Sequence, residues 1–96
     1  MRTRYIVSYD ISDAKRLRRV FKTLRGWGDH LQFSVFRCDL SARERVELGA
    51  ALSAAIDHSA DQVLFIDLGP PEGRAADCVE ALGRPYTCPD RHAVII

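Results

Sequence analysis

The sequence predicts an α+β domain in which an antiparallel sheet carries two helices on one face, in the order β-α-β-β-α-β. Three observations predict it. The β-branched and aromatic runs "RYIVSY" (4–9) and "QVLFIDL" (62–68) stand at either end of residues 4–68. Between them, two segments carry apolar residues at offsets of three and four, the period of a helix. An extended stretch, "HLQFSVFRCDL" (30–40), separates those segments. One sheet with both helices on the same face satisfies this order, which is the ferredoxin-like arrangement. Ninety-six residues make a single domain, with its core in 1–68 and a tail in 69–96.

Each element has a local reason. Residues 4–9 are strand formers. Asp10, Ser12 and Asp13 then supply turn and cap chemistry. In the first helix, Ala14, Leu17, Val20, Phe21 and Leu24 form one apolar stripe, and Gly26 and Gly28 end it. Residues 30–40 fit either one bent strand or two short strands around a tight connection. Ser41 opens the second helix and forms an S-x-x-E capping box with Glu44. Leu48, Ala51, Leu52, Ala55 and Ile56 build its buried stripe, and Asp57–Asp61 close it. After the strand at 62–68, "GPPEG" (69–73) is a loop, because its prolines and glycines deny it a ladder. "RAADCVEAL" (74–82) is expected as a short helix stopped by Gly83. The terminal "AVII" (93–96) is expected as a strand that pairs with an edge, either its own sheet's or a second subunit's.

Composition narrows the function. At 47% hydrophobic and 28% charged, the chain is a folded domain rather than a disordered one. No apolar run approaches the ~20 residues of a membrane span, and the N-terminus does not read as a signal peptide. Three scattered cysteines without a CxxC fit a reduced cytoplasm. Cys78, Cys88 and His92 match no structural zinc spacing. No G-x-S-x-G, Walker loop or Cys–His pairing points to nucleophilic or nucleotide chemistry.

The net charge of +1 hides an asymmetry. Residues 1–25 hold eight Lys or Arg against two Asp, and the remainder is acidic. Six of the cations, Lys15, Arg16, Arg18, Arg19, Lys22 and Arg25, lie on the first helix with no acid interleaved. At 100° per residue they cover about half of its circumference. Pairing at i,i+4 does not explain them, and like charges at that spacing repel. They are candidates for phosphate contacts with a nucleic acid, which bring affinity without sequence readout. The plainer reading is charge complementarity between the two halves of the chain.

Asp10 ends an apolar strand, and the residues alone leave two roles open. It caps the turn into the helix, or it offers a hard carboxylate to a metal. Ser12 and Asp13 are read first as caps, with a water-mediated role near Asp10 as the alternative. Tyr9 points to the sheet face opposite Asp10 and is read as core before base stacking. In a regular strand Ser34 and Phe36 share one side, while Phe33 and Val35 share the other. Ser34 and Phe36 are expected in the core or at a dimer contact, with a nucleic-acid contact as the alternative for Phe36.

Several of these pieces occur together in order: "YDI", the basic "SDAKRLRRVFKTL", the Q-x-S-V-F core of "GWGDHLQFSVFRCDL", and "IDHSADQVLFIDL". This set resembles the small CRISPR-associated adaptation protein family, the second of the two near-universal CRISPR-associated families. The resemblance covers residues 4–68 well and the tail loosely. It implies a ferredoxin-like homodimer that binds the CRISPR-associated integrase and holds foreign DNA during spacer acquisition. Many members are described as Mg²⁺-dependent endonucleases acting on RNA or DNA. The family's presumed metal ligand, the aspartate ending the first strand, is Asp10 here, and one copy from each subunit would share the ion. The resemblance also gives "AVII" the task of completing the partner's sheet. The rival reading is a non-catalytic dimeric adaptor that bridges integrase subunits and binds duplex DNA.

Overall fold

The computed structural model describes residues 1–85. Its elements are β1 (Thr3–Asp10), α1 (Ala14–Arg25), β2 (Asp29–Gln32), β3 (Val35–Leu40), α2 (Ala42–Ala55), β4 (Gln62–Gly69) and a 3₁₀ turn (Gly73–Asp77). The sheet order is β2-β3-β1-β4, and every neighbouring pair is antiparallel. This is the expected ferredoxin-like α+β fold.

The residues expected to form α1 and α2 do so for the anticipated reasons. Asp13 is the N-cap of α1, its carboxylate accepting from the Lys15 and Arg16 amides at 3.0 Å each. Ser41 and Glu44 complete a capping box at α2, with Glu44 Oε1 accepting from Ser41 N–H and Ser41 Oγ from Glu44 N–H. Residues 30–40 resolve into two strands around a turn at Phe33 and Ser34. Ser34 therefore sits in a turn and shares no strand face with Phe36.

One expectation changes in the tail. The stretch 74–82 forms only the last part of a single 3₁₀ turn and is not a helix to Gly83. Ala75 is buried while Val79 and Leu82 are exposed, so the segment has no apolar stripe to dock a longer helix. The strand expected at 93–96 lies outside the described residues.

Val7, Tyr9, Phe36, Cys38 and Leu40 project from the sheet into one core with Val20 and Leu24 of α1 and Leu48, Leu52 and Ala55 of α2. Tyr9 and Phe36 are thus core residues, with their rings stacked at 6.3 Å. Gly28 is demanded by close approach rather than by an unusual φ. A Cβ there would collide with the Arg37 carbonyl oxygen and Cys38 Sγ. That lets the chain leaving α1 pass directly over β3.

The opposite sheet face carries no helix among the described residues. Alternation puts Ile6, Ser8 and Asp10 of β1 on it, with Val35 of β3 and Leu64 and Ile66 of β4 beside them in register. Leu64 and Ile66 are 47% and 46% exposed. Ion pairs border this strip: Arg4 grips Asp39 through two bonds of 2.9 and 3.1 Å, and Arg37 donates to Asp29 at 3.1 Å.

Candidate nucleic-acid and metal site

Three connections meet at one end of the sheet, because β1 runs up to the start of α1, β2 turns there into β3, and α2 returns there into β4. Asp10 sits at this end, opposite Gln62 in register. It is exposed, and its carboxylate has no hydrogen bond or ion pair among the described residues. The neighbouring acids differ. Asp13 caps α1, Asp57 accepts from Ser59, and Asp61 holds the loops together.

Asp61 is the centre of that end. Its side chain is fully out of solvent. One oxygen accepts from Ser12 N–H and Ser12 Oγ at 3.0 Å each, and from Arg16 Nη2 at 3.3 Å. The other accepts from Arg16 Nε at 2.7 Å and from Asp57 N–H at 2.8 Å. These donors, the Arg16 guanidinium first among them, hold the Asp61 carboxyl well below the usual carboxylate range. The bonds fasten the β1–α1 loop, two residues from Asp10, to the turn that feeds β4.

Arg16 is therefore an internal partner before it is a ligand contact. Sequence reading grouped it with five other acid-free cations. Its main acid, Asp61, is supplied from 45 residues away at 2.7 Å, and Asp13 stands more loosely at 4.0 Å. Lys15, Arg18, Arg19, Lys22 and Arg25 are exposed along the outer face of α1. Arg25 also lies over the Phe21 ring at 5.7 Å. Ser12 is not the cap of α1; it donates to Asp61.

The β2–β3 turn is fastened to β1 at the same end. Tyr9 N–H donates to the Ser34 carbonyl at 3.1 Å, and Tyr9 Oη donates to the Phe33 carbonyl at 3.2 Å. Burial pushes the Tyr9 phenol pKa up, so it remains the proton donor.

Comparison with known proteins gives this arrangement a family. The family model for CRISPR associated protein Cas2 matches residues 1–73. The chain belongs to the Cas2 family. A protein of Rhodospirillum rubrum, described as CRISPR-associated endoribonuclease Cas2 1, is 45% identical over 92 residues, covering 96% of this chain and 89% of that one. The CRISPR-associated endoribonuclease Cas2 of Geobacter sulfurreducens is 42% identical over 92 residues and 96% of each chain. Among solved structures, Cas2 of Streptococcus pyogenes superposes with a TM-score of 0.74 at 33% identity, covering 83% of this chain and 99% of that one. A hypothetical protein of Thermus thermophilus reaches 0.78 at 28% identity, covering 91% and 98%.

Within this Cas2-family chain, Asp10 suits a hard divalent ion because its oxygens are exposed and unengaged. No three His, Cys, Asp or Glu side chains gather as a metal site among the described residues. An ion at Asp10 would thus draw its further donors from outside the described side chains. No helix among the described residues is long and apolar enough to cross a membrane. Sequence reasoning missed Asp61 as a site residue. The only signal was a DHSAD segment whose acids read as the end of α2.

Proposed function

We propose that this chain is a CRISPR adaptation protein that works as a homodimer and hydrolyses phosphodiester bonds with Mg²⁺. The observation that carries the proposal is the placement of Asp10: a carboxylate unengaged among the described residues, on the sheet face opposite α1 and α2, at the end of a strip of Ile6, Val35, Leu64 and Ile66. An isologous contact over that strip with its two-fold axis beside Asp10 would bring two Asp10 together. The relatives' description as endoribonucleases makes RNA the first substrate to test, with DNA second.

The chain's own residues have separable tasks. Asp10 from each subunit would hold Mg²⁺, which supplies polarisation of the phosphoryl group and a water of lowered pKa. Lys15, Arg18, Arg19, Lys22 and Arg25 neutralise the flanking phosphates. Asp61, through Ser12 and Arg16, fixes the loop that follows Asp10. The CRISPR-associated integrase is the expected protein partner and the cytoplasm the expected location.

The test is Asp10→Ala, assayed with labelled RNA and DNA in Mg²⁺ and in EDTA. Metal-dependent cleavage should disappear while oligonucleotide binding persists. A variant that cleaves like the parent removes Asp10 from the chemistry. A parent that binds duplex DNA without cleaving any strand supports the adaptor reading instead.

A further inference from the structure

We propose that Phe33 is a stacking platform for one unpaired nucleobase beside Asp10, which rests on the nucleic-acid reading above. Phe33 is 80% exposed at the tip of the β2–β3 turn. The other three phenylalanines, Phe21, Phe36 and Phe65, lie in the core or pack against it. The exposed ring does not ride on a loose loop. Its own carbonyl accepts from Tyr9 Oη at 3.2 Å and lies 3.4 Å from His30 Nε2. The next carbonyl, of Ser34, accepts from Tyr9 N–H at 3.1 Å. Tyr9 is itself anchored in the core against Phe36. Both turn residues, Phe33 and Ser34, are thus pinned through their carbonyls to the residue immediately before Asp10.

Chemistry selects the occupant. An aromatic face held in water on a turn fastened to the residue before Asp10, in a chain whose first helix is arginine-rich, matches two features of a nucleotide: the π-face of its base and the charge of its phosphates. Every base has a π-face, so stacking of this kind tolerates sequence. Bases within a duplex already stack on their neighbours and do not present a face to a turn residue. The platform therefore favours single-stranded substrate at Asp10, while the cations of α1 engage phosphates of either form.

The experiment compares the parent, Phe33→Ala and Phe33→Trp by fluorescence anisotropy in EDTA at one salt concentration. The probes are a single strand of about 12 nucleotides and the duplex of the same sequence. Phe33→Ala should weaken single-strand binding by about 5- to 150-fold and leave duplex affinity nearly unchanged. Phe33→Trp should restore the parent's single-strand affinity. Equal single-strand affinity of Phe33→Ala and parent overturns the platform, as does an equal loss on both probes. Sedimentation showing a smaller particle for Phe33→Ala than for the parent makes the ring a subunit contact and overturns it too. A parent that binds neither probe instead sinks the nucleic-acid reading on which the platform rests.

Discussion

The two classes of arginine on α1 should separate in a salt titration. Arg18 and Arg19 are exposed, whereas Arg16 is held by Asp61 through bonds of 2.7 and 3.3 Å. Each phosphate contact on B-DNA contributes about 0.9 to the slope of log affinity against log salt. Five exposed cations in contact give a slope near 4.5 per chain, so affinity should fall about 500-fold between 50 and 200 mM salt. The double variant Arg18→Ala/Arg19→Ala keeps three of them, and the same salt step should cost about 40-fold. Arg16→Ala should leave the slope within experimental error of the parent and lower the melting temperature instead, because it strips Asp61 of its charged donor. Anisotropy with a labelled duplex over that salt range measures all three. A parent-like slope for the double variant, or a slope for Arg16→Ala reduced by a full contact, would refute the assignment of cations to the outer face and to the clasp.

Three further outcomes follow from the packing. Asp61 has a depressed carboxyl pKa, so its stabilisation is complete above the ordinary carboxylate range near pH 4 and is lost as pH falls below it. Melting curves of Asp61→Asn should accordingly lie below the parent at pH 7 and converge with it in acid; parallel curves would show that the carboxylate is not the cause. Phe36→Ala removes a fully buried ring that contacts Tyr9, Phe21 and His30, at a cost of about 3–5 kcal/mol and a fall in Tm of roughly 12 °C or more. A shift of only a few degrees would mean the site collapses around the cavity. Gly28→Ala drives a methyl into Arg37 and Cys38 and should destabilise by about 1–3 kcal/mol, whereas an unchanged Tm would show that β3 yields without strain.

The parts of this molecule legible in its sequence are those whose causes are local. The stripe from Ala14 to Leu24, the Ser41–Glu44 box and the strand runs at 4–9 and 62–68 each declare themselves within a few residues. So did the placement of Tyr9 and Asp10 on opposite faces, which needs only strand alternation. The β2–β3 turn stayed ambiguous because "FS" is not a strong turn pair, and its fastening to Tyr9 comes from a distant strand. The 74–82 stretch is compatible with a short helix ending at Gly83, yet without a buried stripe propensity alone does not sustain one. The Arg16–Asp61 clasp was illegible for a different reason. Six cations in one helix suggest a common purpose, and nothing in the local pattern marks the one whose acid arrives from the far side of α2.

The position of β1 bears on how the chain is made. Its two neighbours are β3 and β4, and its register with β4 runs from Arg4–Gly69 to Asp10–Gln62. The first strand to leave the ribosome is therefore the last to be flanked on both edges. It must wait until residue 69 has emerged, and contacts this far apart in sequence slow a small domain's assembly. A nascent chain stalled before Gln62 would display an open edge beside Asp10, ready to capture β4 from another copy. Synthesis rate and chaperone supply, rather than equilibrium stability, should then govern how much correctly paired protein a cell recovers.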